Sequence, residues 1–336
     1  MLKSVIIGYG GIAQAAHVPG YQELEKRGVV KLAAAYDVDP AQFAKKQEIN
    51  IGSGGDTPLD IPTYTDLNEM LDKENPDFVD VCAPTYVHAE IAAELLRRGY
   101  PVHSEKPMAR TYEQCLGMIA AATESEKPLM IGQCLRFSPD YLFVKEAIAD
   151  NRFGKVLSAV FRRQSAPPLW QWKNWMMDHA KSGGCLMDMH IHDVDMVRFL
   201  FGEPDSVSCH TQSISEYCGD DIVHSTFIYE NGPSVLAVGD WSQQGVGFAA
   251  DYRIAFEKAT VIFENWVVTV YPRNGEKWTP DLSKDSMYML ELEYFAGLVT
   301  SGGENTQNPP ESAAETVKLV EALKTSANQN GQSVKP

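Results

Sequence analysis

The segment Gly8-Tyr9-Gly10-Gly11-Ile12-Ala13 constrains this chain more than any other. It stands between an apolar strand, Leu2–Ile7, and a stretch of helical character, and it matches the G-x-G-x-x-G/A pattern. The first glycine permits a tight turn, the second lets backbone approach a pyrophosphate, and the small third position allows helix and sheet to pack closely. A helix beginning there presents free N–H groups and a positive dipole end to phosphate. The pattern therefore predicts a dinucleotide site made by Gly8, Tyr9, Gly10, Gly11 and Ile12. A second strand, Val30–Tyr36, ends in Asp37, followed by Val38. An acidic side chain there accepts hydrogen bonds from both ribose hydroxyls and repels a 2′-phosphate, so the expected cofactor is NAD. Asp37 falls farther from Gly10 than the roughly 20 residues usual for this pattern. The bland alternative is a structural glycine turn beside a surface aspartate.

The rest of the first 133 residues extends the same plan. Phe78–Cys82, Pro101–His103 and Leu129–Ile131 read as further strands, with helical segments Thr65–Asp72 and His88–Arg98 between them. Repeated strand–helix–strand units imply a parallel, doubly wound sheet with right-handed crossovers. After residue 134 the pattern changes to one or two helices followed by strand-like runs. These are Val156–Arg163, Ser206–Ser213, Val223–Glu230, Ser234–Ser242, Tyr252–Phe256, Val261–Phe263 and Val267–Tyr271, separated by turn signals such as Asn231-Gly232-Pro233. No parallel crossover is visible among them. The expected fold class is α/β: a Rossmann-type domain over 1–133, then an α+β domain with a large, mostly antiparallel sheet over 134–336. Ala313–Lys324 has helical spacing, and 328–336 reads as a loose tail.

With 29 Lys and Arg against 45 Asp and Glu, the chain carries a formal charge of −16, which disfavours nucleic acid and anionic membrane as partners. No apolar run approaches the roughly 18–20 residues of a membrane span. The amino terminus enters a strand at once without a secretory pattern, so a cytoplasmic location is expected. The six cysteines contain no Cys-x-x-Cys pair and read as reduced, mostly buried thiols.

Two further clusters carry chemistry. Ser104-Glu105-Lys106-Pro107-Met108 follows a strand of the parallel sheet, at the end where open α/β sheets take their ligands. Lys106 could exchange a proton there, although Glu-Lys-Pro alone is an ordinary polar loop. Farther on runs Ser182-Gly183-Gly184-Cys185-Leu186-Met187-Asp188-Met189-His190-Ile191-His192-Asp193. If this is one helix after the glycines, Asp188 and His192 lie at i and i+4 on one face. A carboxylate beside an imidazole is the equipment of a general base for an alcohol proton. His190 points elsewhere. A metal site at His190, His192 and the neighbouring acids is the rival reading, but i and i+2 side chains diverge on a helix, so no metal is expected.

These motifs, taken in order with Ala83-Pro84-Thr85-Tyr86-Val87-His88, resemble the Gfo/Idh/MocA family of sugar oxidoreductases across about residues 1–272. The run from Asp188 to Leu200 is similar to inositol dehydrogenases within it. The resemblance implies a catalytic trio of Lys106, Asp188 and His192. It puts Glu105 and the loop Ala83, Pro84, Thr85 and His88 near the nicotinamide half of NAD. It also implies a substrate domain whose open sheet mediates a homodimer or homotetramer. Many members carry Trp-Arg before the Gly-Gly pair, contacting the cofactor region; here Trp175 is kept and Met176 replaces the arginine.

Two residues make weaker claims on the substrate. Trp172, in a tryptophan-rich segment, could wall a sugar site or simply pack a core or interface. Arg136 could hold a substrate hydroxyl or cap a helix. The expected activity is hydride transfer between NAD and a secondary hydroxyl of a sugar or cyclitol. A glycosidase or lyase with retained NAD, working through transient oxidation of a sugar carbon, fits the same residues. A non-catalytic NAD-binding regulator would be marked by loss of Lys106 or His192, and both are present.

Overall fold

The structure, a computed structural model, describes residues 1–45, 60–214 and 219–336. It divides into two compact units, and the division is not a single cut near residue 133. The first comprises Met1–Cys134, Pro168–Trp175 and Asp285–Glu315; the second comprises Leu135–Pro167, Met176–Lys284 and Thr316–Pro336.

The first unit is built on six parallel strands: β1 (Leu2–Ile7), β2 (Val30–Tyr36), β3 (Thr63–Tyr64), β4 (Phe78–Val81), β5 (Val102–Glu105) and β6 (Leu129–Gly132). Their order, β3-β2-β1-β4-β5-β6, is that of a doubly wound dinucleotide-binding sheet. Every residue of β4, β5 and β6 is buried, as expected when helices cover both faces of a parallel sheet. The helix Thr85–Arg97, with Pro84 at its N-cap, starts three residues earlier than its apolar spacing suggests. The helix Leu67–Glu74 is capped by Asp66, whose side chain accepts from the Glu69 N–H. A late segment completes this unit. Helix Met287–Ser301 buries Leu292 and Phe295, and the Phe295 ring meets Phe78 edge-on at 5.3 Å. The register sets Ile7 beside Tyr36 and Val81, and Val81 beside Ser104. The chain therefore leaves β1, β2, β4 and β5 at one edge, the carboxyl edge, through Gly8, Asp37, Cys82 and Lys106.

The second unit contains a seven-stranded sheet: β7 (Val156–Gln164), β8 (Ser206–Gln212), β9 (Ile222–Ile228), β10 (Ser234–Asp240), β11 (Ala249–Phe256), β12 (Ala259–Glu264) and β13 (Val267–Pro272). The order is β13-β12-β11-β7-β10-β9-β8. Burial alternates along β9 and β10, the mark of a sheet with one covered and one open face. Two expectations are corrected. β7 and β10 pair in parallel, because the chain between them runs through helices and the β8–β9 hairpin before returning beside β7. The carboxyl tail is not loose: Val334 bridges Val207 in antiparallel fashion, and the Ser208 hydroxyl donates to the Gly331 carbonyl at 2.7 Å. Among the described residues no helix is long and apolar enough to cross a membrane. Cys82, Cys115, Cys134, Cys185 and Cys209 are buried and in no disulfide, and Cys218 lies outside the described residues.

Candidate functional site

The glycine loop after β1 has two distinct jobs. Gly8 adopts φ +92°, and a Cβ there would lie 2.7 Å from the Cα and N of Ala83. The loops after β1 and β4 thus touch backbone to backbone, and only glycine fits. At Gly10 a Cβ would meet nothing within 4 Å, so open space lies above the backbone where the helix begins at Gly11 and Ile12. That space and the free N–H groups of the helix start fit a pyrophosphate. Asp37 is pinned to this loop. Its carboxylate accepts from the Tyr9 N–H at 2.8 Å and the Asp39 N–H at 2.9 Å. Burial raises the Asp37 pKa above its ordinary value, while those two N–H groups oppose the rise. Each carboxylate oxygen retains acceptor capacity for a ribose hydroxyl. Val38 beside it is largely exposed.

Around this cradle the other candidate residues of the first unit take definite places. His88 is fully buried; its ring nitrogens face the Ala83 carbonyl at 2.7 Å and the Pro107 carbonyl at 2.8 Å. Burial depresses its pKa, the two carbonyls oppose that fall, and the ring ties the loop after β4 to the loop after β5. Trp172 donates its indole N–H to Asp39 at 2.8 Å, and Trp175 is buried edge-on against Tyr86 at 6.1 Å. The tryptophan segment therefore packs on the loop that follows β2 and on the first turn of the helix Thr85–Arg97. Lys106 stands half-buried after β5, its backbone N–H donating to its neighbour's Glu105 Oε2 at 2.9 Å. The Lys106–Pro107 peptide is cis.

Beneath Lys106 lies a buried polar network that motif reading does not find. His17 Nδ1 meets Asp80 Oδ2 at 2.7 Å, and its Nε2 meets Glu105 Oε1 at 2.9 Å. His103 Nδ1 meets Asp80 Oδ1 at 2.8 Å, and the Tyr21 hydroxyl donates to Asp80 Oδ2 at 3.1 Å. Burial alone would strip the proton from His17, but the Asp80 charge reverses this and holds the imidazole well above its ordinary pKa. Asp80 and Glu105 are held low against the opposing effect of burial, Asp80 by His17 and His103 and Glu105 chiefly by His17. Glu291, from the late helix, is fully buried, and both its carboxyl oxygens lack a hydrogen-bond partner. Burial first, and the Glu105 charge second, push its pKa well up, so it is a neutral acid. Two triads here, His17–Asp80–His103 and His17–Glu105–Glu291, bring ligand-type atoms within 4.8 Å of one another. The 2.7–2.9 Å separations within them are those of direct hydrogen bonds. The sequence signal was present: Asp80 interrupts an otherwise apolar strand, and His103 stands in the buried strand beside it, where a polar residue needs a partner.

The second unit holds Asp188 and His192. They do not share one regular helix. Gly184–Asp188 and Ile191–Phe201 are separate helices, because the His190 N–H reaches back to the Cys185 carbonyl at 2.8 Å and widens the turn. Asp188 is buried, and His192 is half-buried in the first turn of the second helix. Their neighbours are committed to the core. His190 Nε2 lies 2.9 Å from Ser225 Oγ, and burial, with Arg163 and His224 nearby, lowers its pKa to about 3. Asp193 pairs with Arg163 at 3.0 Å. Arg136 is buried and grips Asp195 through two nitrogens, at 2.8 and 2.7 Å, and the Thr316 hydroxyl donates to the same carboxylate. The structure thus places Arg136 in a buried ion pair. Lys106 belongs to the first unit, Asp188 and His192 to the second.

A sheet of this order, a glycine cradle with open space at Gly10 and an acid at the end of β2 define a dinucleotide-binding unit of Rossmann type. Residues 2–133 match the model of the oxidoreductase family with NAD-binding Rossmann fold, and residues 141–262 match the GFO/IDH/MocA C-terminal domain. The chain belongs to the Gfo/Idh/MocA family. It is 31% identical over 244 residues to inositol 2-dehydrogenase of Rhizobium meliloti, covering 68% of this chain and 72% of that protein. It is 33% identical over 144 residues to 2,7-anhydro-N-acetylneuraminate hydratase of Mediterraneibacter gnavus, covering 43% and 38%. Among solved structures, levoglucosan dehydrogenase in complex with NADH and levoglucosan has the same fold, with TM-score 0.83, 18% identity and 99% of each chain covered.

Proposed function

We propose that this protein is a dehydrogenase that moves a hydride between NAD and a secondary hydroxyl of a cyclitol, sugar or sugar derivative. The observation that carries the reading is Lys106 at the carboxyl end of β5, on the sheet edge that also bears the Gly8–Ile12 cradle and Asp37. Similarity to an inositol 2-dehydrogenase supports the substrate class. The bound nicotinamide supplies the hydride acceptor. The Gly10 backbone and the helix start would hold the pyrophosphate, Asp37 would accept from the ribose hydroxyls, and Ala83–Thr85, Glu105 and Trp175 would lie near the nicotinamide half. His192 takes the hydroxyl proton, Lys106 stabilises the developing alkoxide, and Asp188 sets the charge of the imidazole. General-base catalysis is typically worth about 10² to 10⁴. The open face of the second sheet, with Ile228 and Leu236 exposed, supports assembly into a dimer or tetramer.

A second reading is favoured by the similarity to a hydratase: NAD stays bound, and transient oxidation of a sugar carbon permits elimination or cleavage. One experiment separates the two. Purified protein is given NAD⁺ with myo-inositol, free sugars and glycosides, while reduced-nicotinamide absorbance and product composition are followed together. Steady reduction with a polyol or sugar supports the dehydrogenase. Product without net reduction supports the second reading, and neither signal refutes both. His192→Ala lowers turnover by about 10² to 10⁴ and leaves NADH affinity unchanged; an unaltered rate removes His192 from its role.

A further inference from the structure

We propose that His17 is a positioning residue for Lys106, carrying the placement of the nucleotide-binding helix into the lysine loop through Glu105. The helix that begins at the glycine cradle passes through a wide, π-type turn at Ala13–His17 before continuing regularly from Val18. Such turns are rare and favour functional sites. This one ends at His17, whose ring is fully buried between two carboxylates.

The hydrogen bonding fixes the proton count. A neutral imidazole has one N–H, so a ring that donates at 2.7 Å to Asp80 and at 2.9 Å to Glu105 must be an imidazolium. Both contacts are then charge-assisted and about twice as strong as neutral ones. Asp80 is anchored on its far side by His103 of β5 and by Tyr21, which also meets Ser4 of β1. The brace therefore joins the helix to three adjacent strands. Glu105 is left no freedom: Oε1 faces His17, and Oε2 accepts the backbone N–H of Lys106. Two hydrogen bonds thus separate the helix from the lysine backbone. Without His17, the Glu105 carboxylate would face Glu291 in the core with no cation between them. It would protonate or turn away, and the Lys106 N–H would lose its partner.

This inference rests on the role proposed for Lys106, and its test needs no substrate. The apoprotein is treated with an amine-reactive acetyl ester, and acetylation of Lys106 is read by peptide mass spectrometry relative to Lys26, an exposed lysine on the same unit. The set is wild type, H17N, E105Q and the H17N/E105Q double variant. H17N and E105Q each raise the Lys106:Lys26 ratio several-fold, and the double variant exceeds the larger single effect by nothing, because both act along one path. Leu71→Ala, which opens a core cavity in the helix Leu67–Glu74, none of whose residues belongs to the network, leaves the ratio unchanged and so excludes general loosening. H17Q replaces H17N if the latter does not fold. An unchanged ratio in the His17 variant, or effects that multiply in the double variant, overturns the inference. NADH titration of the wild type by fluorescence is run alongside. Binding together with unchanged labelling in H17N leaves the dehydrogenase reading standing and removes this one; failure to bind refutes both.

Discussion

Replacing Gly8 or Gly10 by alanine adds the same methyl group two residues apart, and the structure predicts opposite consequences. At Gly10 the new Cβ enters open space, with nothing within 4 Å, and the backbone needs no left-handed conformation. Stability should therefore stay within about 0.5 kcal/mol of wild type. The methyl instead occupies the space over the helix start and holds a pyrophosphate off the backbone N–H groups. NADH affinity should fall about tenfold or more, equivalent to about 1.4 kcal/mol. At Gly8 an alanine must adopt φ +92°, which costs about 1–2 kcal/mol. Its Cβ would also lie 2.7 Å from Ala83 Cα and N and 2.8 Å from the Cys82 carbonyl carbon. These are backbone atoms that cannot turn aside, and overpacking of this kind adds about 1–3 kcal/mol. The sum, about 2–5 kcal/mol, corresponds to a fall in Tm of roughly 5–20 °C for a unit of this size. Calorimetry gives the stabilities, and NADH fluorescence titration, at a temperature where all three proteins are folded, gives the affinities. A Gly10→Ala protein that melts as early as Gly8→Ala, or that binds NADH like wild type, refutes the assignment of space to one glycine and contact to the other.

Two further predictions concern buried charge. Glu291 ionises near pH 4.3 in the unfolded chain, while the folded protein keeps its proton to well above that value, so folding takes up a proton and stability falls as pH rises. Glu291→Gln should flatten that slope above about pH 5, by up to about 1.4 kcal/mol per pH unit; urea unfolding curves with the same pH dependence in both proteins would refute a neutral Glu291. Arg136→Met leaves the Asp195 carboxylate buried without its cation and should cost about 3–5 kcal/mol, whereas Arg136→Met with Asp195→Leu should recover most of the loss. A single variant as stable as wild type in urea would show that the pair contributes nothing.

The legible part of this fold is the part written locally. Gly8 to Ala13 announce a strand–turn–helix because the turn, the backbone approach and the helix start are all settled within six residues. The strands of the first sheet read as short apolar runs because both faces are covered, and those of the second read as alternating because one face is open. Asp37 is legible for the same reason: it ends a strand beside the loop it serves. What local pattern does not carry is where a distant segment docks. Helix Met287–Ser301 looks like any apolar helix after the last strand, yet it buries Phe295 against Phe78 in the first unit. Trp172 and Trp175 read equally as sugar walls or packing; the hydrogen bond of one to Asp39 and the ring contact of the other with Tyr86 depend on a long-range return of the chain. The break at Met189 and His190 was hidden too, since the run has helical residues throughout and the wide turn comes from one backbone bond to Cys185.

The buried network shows why a motif can be recognised while its workings stay out of sight. Glu105 stands out in sequence as the acid before Lys106, and it suggests contact with the cofactor. In the structure its two oxygens are taken by His17, from the nucleotide-binding helix, and by the lysine's own backbone. Asp80 is the single polar residue of a four-residue strand, and His103 shares the neighbouring strand with Ser104 and Glu105; in isolation they look like tolerated exceptions in a core. Only when β4 and β5 lie side by side, with His17 above them, do the exceptions become one ion-paired brace. A carboxylate cannot remain in that core without such partners, so the cost of burying Asp80 and Glu105 specifies His17 as firmly as any motif specifies the glycines. The conspicuous residues of the loop can therefore do their chemistry only because inconspicuous ones, far apart in sequence, hold the loop in place.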